Sequence, residues 1–249
     1  MIPKIIHYCW FGGKPLTPLA EKCVKSWEKF CPDYKIIRWD ESNYDVTKNL
    51  YMKEAYEAKK WGFVPDYARL DIIYHHGGIY MDTDVEVVKP FDELLSCKAF
   101  MGVEIPGQVA LGLGFGAEKE NSVIGDLLKE YERRHFIVDG KMDLTAAPAL
   151  QKPYFKQYGV SDNIIYEIKD GCFVYPTDYF CPVDVLGTGR VNLTENSYSI
   201  HRYAASWESK SSILRGKIYR FINRHFGQKT ADCVKKMKKR VCSLFKKGK

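Results

Sequence analysis

No stretch of the 249-residue sequence is apolar over about 18 or more residues, the length that a membrane-spanning helix needs. The first residues, MIPKIIHYCWFGG, contain too short an apolar run for a secretory signal, so we expect a cytoplasmic protein. The eight cysteines form no CxxC pair and no metal-type spacing, which excludes the usual zinc motifs and favours reduced thiols. No internal repeat or low-complexity segment precedes residue 209.

Net positive charge is absent from residues 1–208 and is concentrated at the end of the chain. Residues 209–249 contain 14 Lys or Arg and one acidic residue, whereas residues 1–208 contain 24 basic and 30 acidic residues. We therefore expect one domain over residues 1–208 and a separate basic tail over residues 209–249.

Strand and helix patterns alternate through the first half of the chain, which predicts an α/β fold. A short apolar run ends at a Gly-Gly turn, and Thr17-Pro18 resembles a helix N-cap followed by a first helical residue. The predicted strands are 2–8, 34–39, 79–81 and 85–88, and the predicted helices are 17–31, 48–60, 65–77 and 121–135.

Two aspartates, separated by one residue, stand in the segment GGIYMDTDVEV at the predicted end of a strand. Side chains two residues apart on a strand leave it on the same side, so we expect the carboxylates of Asp82 and Asp84 to be close together. Like charges this close repel unless a cation compensates them, which favours a divalent metal site over a solvated strand tip. An Asp-x-Asp triplet alone is weak evidence, because such triplets often arise by chance.

A second acidic position precedes this pair on the helix that leads into the aspartate strand. Asp66 and Arg69 are three residues apart, the spacing that places both on one helix face. Such a pair is either a solvated surface ion pair or part of the same site as the aspartates.

The segment PDYARLDIIYHHGGIYMDTDVEV resembles the signature of the DXD-containing sugar transferases of glycosyltransferase family 32, which are related in this block to the clostridial glucosylating toxins. IPKIIHYCWFGG resembles the opening strand and turn of that family, and PTDYFCPVDVLGTGRVNLTENSYSIHRYAASW resembles the C-terminal part of its bacterial members. The resemblance spans residues 2–207 and implies a GT-A fold, a mixed sheet with flanking helices in a single α/β domain.

The resemblance also implies the catalytic residues Asp82, Asp84, Arg69 and Asp66. In this family a nucleotide-sugar lies across the C-terminal ends of the strands, and Mn²⁺ or Mg²⁺ bridges its diphosphate to the two aspartates. Asp84 would bind the metal directly, Asp82 the metal or the ribose, Asp66 the sugar hydroxyls, and Arg69 the sugar or the diphosphate. His201 would be a further metal ligand, although a lone histidine in a loop is more often structural.

Further residues are implied at the donor. Trp10 would stack on the base, or else act as a core anchor, and Ser206 and Trp207 would close a lid over the phosphates, unless they only pack a C-terminal loop. The expected donor-binding residues are Tyr8, Cys9, Trp10, Phe11, Tyr80, Thr83, Ser206 and Trp207. One departure concerns the acceptor: Thr145-Ala146-Ala147-Pro148 stands where family members have Thr-Gly-Pro, so the acceptor subsite here is expected to differ.

The basic tail has apolar residues at helical spacing, with Lys and Arg between them, beginning at Ile213 and ending at Leu244. Such helices lie on an anionic membrane surface, pack on the domain with a solvated basic face, or bind nucleic acid. We expect the first, at the inner face of the cell membrane where lipid-linked glycan acceptors are found, and no nucleic acid partner.

These observations predict a metal-dependent retaining glycosyltransferase that moves a hexose or N-acetylhexosamine from a nucleotide-sugar to a glycan or lipid-linked acceptor in surface polysaccharide synthesis. A UDP-sugar is the first expectation for the donor and GDP-mannose the second. One rival is a phosphohydrolase of the haloacid dehalogenase type, but Glu86 stands where that motif requires Thr or Val. The other is a non-catalytic membrane or polyanion binder, which predicts substitutions at Asp82, Asp84, Arg69 or Trp10, and none is seen.

Overall fold

A computed structural model describes residues 1–160, 164–185, 187–204 and 210–234. The chain divides into two compact units, the first formed by Met1–Pro182 with Leu193–Trp207 and the second by Val183–Asn192 with Glu208–Lys249. Residues 183–192 thus cluster with the tail rather than with the residues on either side of them. Among the described residues, no helix is long and apolar enough to cross a membrane.

The first helix of the first unit begins where the sequence supplies a cap. The hydroxyl of Thr17 accepts the N–H of Ala20 at 3.2 Å, with Pro18 as the first helical residue, as the sequence predicts. The helices are α1 (Pro18–Phe30), α2 (Leu50–Glu57), α3 (Pro65–His76), α4 (Ser122–Lys129), α5 (Ala147–Lys156) and α6 (Thr177–Phe180).

The strands of the first unit are β1 (Ile5–Cys9), β2 (Lys35–Trp39), β3 (Gly78–Tyr80), β4 (Val85–Val87), β5 (Ala99–Ile105), β6 (Gln108–Ala110), β7 (Phe115–Ala117), β8 (Ile137–Val138), β9 (Lys141–Met142), β10 (Tyr166–Lys169), β11 (Cys172–Tyr175) and β12 (Ser199–His201). Eight of them form one sheet in the order β10-β11-β5-β7-β3-β1-β2, with β6 paired to β5. β1 is parallel to β2 and β3, whereas β7 runs antiparallel to β3 and β5. The predicted mixed α/β sheet with flanking helices is confirmed.

A two-stranded ribbon outside this sheet determines what surrounds the aspartates. β4 pairs antiparallel with β12, with Val85 opposite His201. This ribbon brings the C-terminal part of the first unit next to the segment that follows β3.

The predicted helix over residues 121–135 is too long, because α4 ends at Lys129. Beyond it, the Oε2 atom of Glu54 accepts the N–H of Phe136 at 2.7 Å and of Ile137 at 2.9 Å. These bonds hold the backbone in a non-helical path that no local pattern indicates.

The second unit contains α7 (Lys210–Phe226), the first of the helices predicted in the tail. Several of its large apolar side chains remain exposed, among them Leu214, Phe221 and Phe226 at 58%, 59% and 66%. Within this unit, Nη2 of Arg224 donates to the carbonyl oxygen of Thr188 at 2.9 Å. The predicted continuation of the amphipathic pattern over residues 235–249 lies outside the described residues.

Candidate active site

Asp82 and Asp84 lie on the short turn between β3 and β4, not on a strand as the sequence predicts. The N–H of Val85 donates to the carbonyl oxygen of Asp82 at 3.0 Å and closes the turn. The N–H of Asp82 donates to the carbonyl oxygen of Gly112 at 3.2 Å. The turn gives the two carboxylates different neighbours. Burial raises the pKa of Asp82, and the nearby Asp84 carboxylate raises it further.

Asp82 faces the buried pair that the sequence places on α3. Nη2 of Arg69 lies 3.0 Å from Oδ1 of Asp66 and 3.4 Å from Oδ1 of Asp82. Asp66 and Arg69 are only 4% and 5% exposed, which rules out a solvated surface pair. One guanidinium therefore joins two of the expected catalytic carboxylates, and it keeps further donors for an oxygen-rich ligand.

The environment of Asp66 favours its neutral form more than usual. Burial raises the pKa of Asp66 to about 6, against the lowering effect of Arg69. The hydroxyl of Tyr51 donates to Oδ2 of Asp66 at 3.3 Å. A carboxyl group with this pKa, held by a guanidinium and a phenol, is suited to hydrogen bonding with sugar hydroxyls, which both donate and accept.

Asp84 is paired on the opposite side of the turn with His201 of β12. Nε2 of His201 lies 3.2 Å from Oδ1 of Asp84, and the N–H of Ala204 donates to Oδ2 of Asp84 at 2.8 Å. Burial lowers the pKa of His201, but Asp84 outweighs this effect and the net shift is upward. Burial in turn raises the pKa of Asp84, and His201 outweighs it so that the pKa falls. The carboxylate and the imidazolium stabilise each other's charged form.

A third group at this pair has no signal in the sequence. Nδ1 of His201 lies 4.0 Å from Oε1 of Glu104 on β5 and has no hydrogen-bond partner among the described residues. Tyr203 packs on the imidazole with ring centroids 4.1 Å apart, and its hydroxyl lies 3.0 Å from the Sγ atom of Cys181. These neighbours fix the imidazole between two carboxylates.

Gly112 is a further site residue that the sequence analysis did not single out, although it lies in the glycine-rich run 111–116. A Cβ atom at this position would collide with Oδ2 of Asp82 and lie 3.3 Å from Nη1 of Arg69. The absence of a side chain at position 112 therefore leaves the space that the Asp82 carboxylate occupies.

The expected donor residues of the first turn differ in exposure. Tyr8, Cys9 and Phe11 are buried, with Tyr8 packed edge-on against Trp27 at 5.5 Å between ring centroids. Trp10 is only partly buried, and its Nε1 donates to the carbonyl oxygen of Lys14 at 2.6 Å. Of these four residues, Trp10 thus has the ring surface available for a base, and the other three support the turn.

Tyr80 contacts both Asp82 and Arg69. Its hydroxyl donates to Oδ1 of Asp82 at 3.1 Å, and the Arg69 guanidinium lies 5.3 Å from its ring centroid. Thr83 is partly exposed between the aspartates. Ser206 and Trp207, expected to form a lid, lie outside the described residues.

The donor set at the turn fits a hard cation. Asp82 and Asp84 supply acceptor oxygens of the kind that Mg²⁺ and Mn²⁺ prefer, and phosphate oxygens complete such a site. In the described residues, however, no three His, Cys, Asp or Glu side chains are already arranged to hold a metal ion. Because His201 is paired with Asp84, a cation at Asp84 would replace the positive charge that His201 now provides.

Part of the chain that contains these residues is similar to a known protein family. Residues 18–101 match the family described as "Glycosyltransferase sugar-binding region containing DXD motif", and this range includes Asp66, Arg69, Asp82 and Asp84. This match confirms, over residues 18–101, the resemblance predicted from the sequence.

Several curated fungal proteins are similar to the chain. Inositol phosphoceramide mannosyltransferase 1 of Schizosaccharomyces pombe is 26% identical over 174 residues, which cover 63% of this chain and 52% of that protein. Mannosyl phosphorylinositol ceramide synthase SUR1 of Saccharomyces cerevisiae is 28% identical over 173 residues, 64% of this chain and 43% of that protein. The chain spans about half the length of these curated relatives.

Among solved structures, a glycosyltransferase involved in the glycosylation of the major capsid of PBCV-1 aligns with a TM-score of 0.46 at 13% identity, covering 84% of this chain and 97% of that one. The PaToxG glycosyltransferase aligns with a TM-score of 0.45 at 18% identity, covering 63% of this chain and 69% of that one.

Proposed function

We propose that the chain is a metal-dependent, retaining glycosyltransferase that moves a hexosyl group from a nucleotide-sugar to a hydroxyl of a glycan or lipid-linked acceptor. The observation that supports this most directly is the bridge from Asp66 through Arg69 to Asp82, one residue from Asp84. It combines a site for sugar hydroxyls with acceptor oxygens for a cation within one matched family segment.

Each side chain has a defined task in this proposal. Asp66 accepts and donates hydrogen bonds to the sugar hydroxyls, and Arg69 holds Asp66 and Asp82 in place while its remaining N–H groups face the donor. Asp82 and Asp84 hold Mn²⁺ or Mg²⁺, which when bound stabilises negative charge on the departing diphosphate. Trp10 offers its ring to the base. Stabilising charge that grows as the sugar–phosphate bond breaks lowers the barrier, because the interaction is stronger in the transition state than in the ground state.

Two observations bear on the identity of the donor. The resemblance of the Trp10 turn to the toxins supports UDP, whereas two of the similar fungal proteins are named for mannosyl transfer and support a mannose donor. The sugar would be a hexose or N-acetylhexosamine in either case.

The acceptor and location follow from the tail and from the relatives. The basic helix α7 exposes Leu214, Phe221 and Phe226 between its cations, which suits the headgroup region of an anionic membrane. The similar fungal proteins are named for a ceramide lipid acceptor. We therefore place the enzyme peripherally on the inner face of the cell membrane, acting on a lipid-linked or glycan acceptor of surface polysaccharide synthesis.

A thermal-shift screen tests the function with the full-length protein. UDP, GDP, UDP-glucose, UDP-N-acetylglucosamine and GDP-mannose are each added with and without Mn²⁺, since a ligand that binds only the folded state raises Tm. We expect one nucleotide to raise Tm only when Mn²⁺ is present, and the Asp82→Asn variant to lose this shift. If no nucleotide shifts Tm under either condition, the transferase proposal fails and a non-catalytic binder becomes the better account.

A further inference from the structure

A pocket of about 370 Å³ lies outside the cluster around Asp82 and Asp84. Its walls come from the turns after α4, including Tyr131 and Arg134, and from α5, including Gln151 and Tyr154. Its volume falls in the range of small-molecule sites, and it combines aromatic surfaces with a few polar groups, as such sites do.

Three residues of this pocket have buried polar atoms without partners. The hydroxyl of Tyr131, both amide atoms of Gln151 and Nε of Arg134 are buried and form no hydrogen bond with any described residue. Tyr131 is 1% exposed and Gln151 is 4% exposed. A buried polar group normally has a partner, since leaving it unpaired is costly. Four such atoms on three residues that line one pocket therefore point to a ligand.

The chemistry of these atoms defines the ligand class. Gln151 offers one donor and one acceptor group, the Tyr131 hydroxyl can do either, and Nε of Arg134 donates. Nη1 of Arg134 lies 3.8 Å from Oδ2 of Asp143, so its charge is already partly balanced and a free anion is not required. Hydroxyl groups on a ring match this mixture, and the partly exposed ring of Tyr154 can cover its apolar face.

The pocket adjoins the wall of the candidate sugar site. The rings of Tyr51 and Tyr131 meet edge-to-face at 5.2 Å between centroids, and the Tyr51 hydroxyl bonds Asp66. Burial raises the pKa of Tyr131, and the nearby Asp66 carboxylate raises it further. α5 begins at Ala147, inside the segment 145–148 that departs from the family pattern.

We infer that this pocket, named here the Gln151 pocket after the residue with two unpaired atoms, binds a polyhydroxylated six-membered ring of the acceptor, either a hexose or a cyclitol. Tyr131, Arg134 and Gln151 provide its hydrogen bonds. The inference rests on the proposed transferase function only for the identification of that ring as acceptor; the binding itself is independent of the metal and the nucleotide.

The test is a ligand-observed NMR titration of the full-length protein with methyl α-mannoside and, separately, with myo-inositol, each with and without GDP or UDP and Mn²⁺. Binding of the mannoside indicates a glycan terminus and binding of myo-inositol a cyclitol headgroup, and either supports the pocket. We expect Gln151→Met and Tyr131→Phe each to weaken binding by about threefold to tenfold, the loss of one or two neutral hydrogen bonds.

Thermal stability separates this role from a structural one. Because Gln151→Met and Tyr131→Phe remove polar atoms that have no partner, Tm should stay constant or rise. Tyr198→Phe is the matched control: it removes a buried hydroxyl that donates to Oε2 of Glu93, so it should lower Tm and leave ring binding unchanged.

The inference is overturned if neither ring compound binds under any of these conditions, or if Gln151→Met and Tyr131→Phe bind as tightly as the unmodified protein. Failure of the transferase proposal has a different signature, the absence of a nucleotide-dependent Tm shift. Both pocket variants should retain that shift, because Asp82 and Asp84 are unchanged in them.

Discussion

Nε2 of His201 lies 3.2 Å from Oδ1 of Asp84, and this contact exists because β12 pairs with β4. The histidine provides the buried carboxylate with a counter-charge. A divalent cation held at Asp84, as proposed, would supply the same counter-charge.

Replacing Asp84 by Asn tests its role as the metal-binding carboxylate. The amide oxygen can still accept the N–H of Ala204, so the fold should survive, but the negative charge is lost. We expect donor hydrolysis to fall at least ~10²-fold, because losing several kcal/mol of metal stabilisation costs a factor of ten per about 1.4 kcal/mol. Glu86→Gln is the matched control on β4 and should retain activity; near-normal hydrolysis by folded Asp84→Asn protein would contradict the assignment.

Gly112→Ala should damage the site without strain in the backbone, since Gly112 is not among the residues with positive φ. Its Cβ would displace the Asp82 carboxylate from its place beside Arg69. We expect the nucleotide-dependent Tm shift to disappear. Gly216→Ala in α7, where the nearest atom to a new Cβ is 3.6 Å away, is the control and should behave like the unmodified protein. Equal nucleotide binding in the two variants would show that the space at position 112 is not needed.

His7 should make the protein sensitive to acid. Trp39 donates to its Nδ1 at 3.0 Å and its Nε2 lies 2.9 Å from the carbonyl oxygen of Gly77, so the buried ring is neutral. Burial lowers the pKa of His7 from 6.5 to about 4. Protonation thus favours the unfolded state: the contribution is complete above pH 6.5 and is lost as pH falls from 6.5 towards 4, by about 3 kcal/mol in total.

The measurement for His7 is urea unfolding across pH 4 to 7 for the protein and for His7→Gln, whose amide can make both hydrogen bonds without titrating. Asp66 shifts stability in the opposite direction, since its raised pKa favours the folded state as pH falls below about 6. The difference between the two proteins removes that shared effect. Identical pH profiles for the two proteins would show that His7 does not titrate as inferred.

The tail should bind anionic membranes through its cations. Replacing exposed Arg215 and Lys217 of α7 by Gln should weaken binding to phosphatidylserine vesicles by roughly 30-fold, at about 1 kcal/mol for each basic group near the surface. The control replaces Lys25 and Lys29, which are exposed on α1, by Gln. Vesicle sedimentation that gives equal losses for both pairs, or no loss, would refute a role for α7 as the anchor.

The parts of the site that depend on local spacing were predictable from the sequence. Helical spacing brought Asp66 and Arg69 together, and the Asp-x-Asp triplet after an apolar strand singled out Asp82 and Asp84, although they lie on a turn rather than on the strand. The burial of the Asp66–Arg69 pair was not predictable, because it depends on Tyr51 and Tyr131, which come from distant segments of the chain.

The remaining residues became visible only through tertiary packing. Gly112 belongs to a recognisable glycine-rich run, but its importance comes from Asp82 approaching it across the fold. Glu104 and Tyr203 lie beside His201 with no shared pattern in the sequence. The unpaired amide of Gln151 is a property of its surroundings and has no signature in the residue itself.

The β4–β12 ribbon also has a consequence for the order in which the protein folds. Arg202 and Glu86 bond across it, although they are 116 positions apart in the sequence. The ribbon is therefore an element of high contact order, and its formation costs the entropy of closing a long loop. Asp66, Arg69 and Asp82 can assemble from one short segment as it leaves the ribosome. Asp84 can pair with His201 only after the residues around His201 have been synthesised. Until then its carboxylate remains in water, where the free-energy cost of burying its charge does not arise.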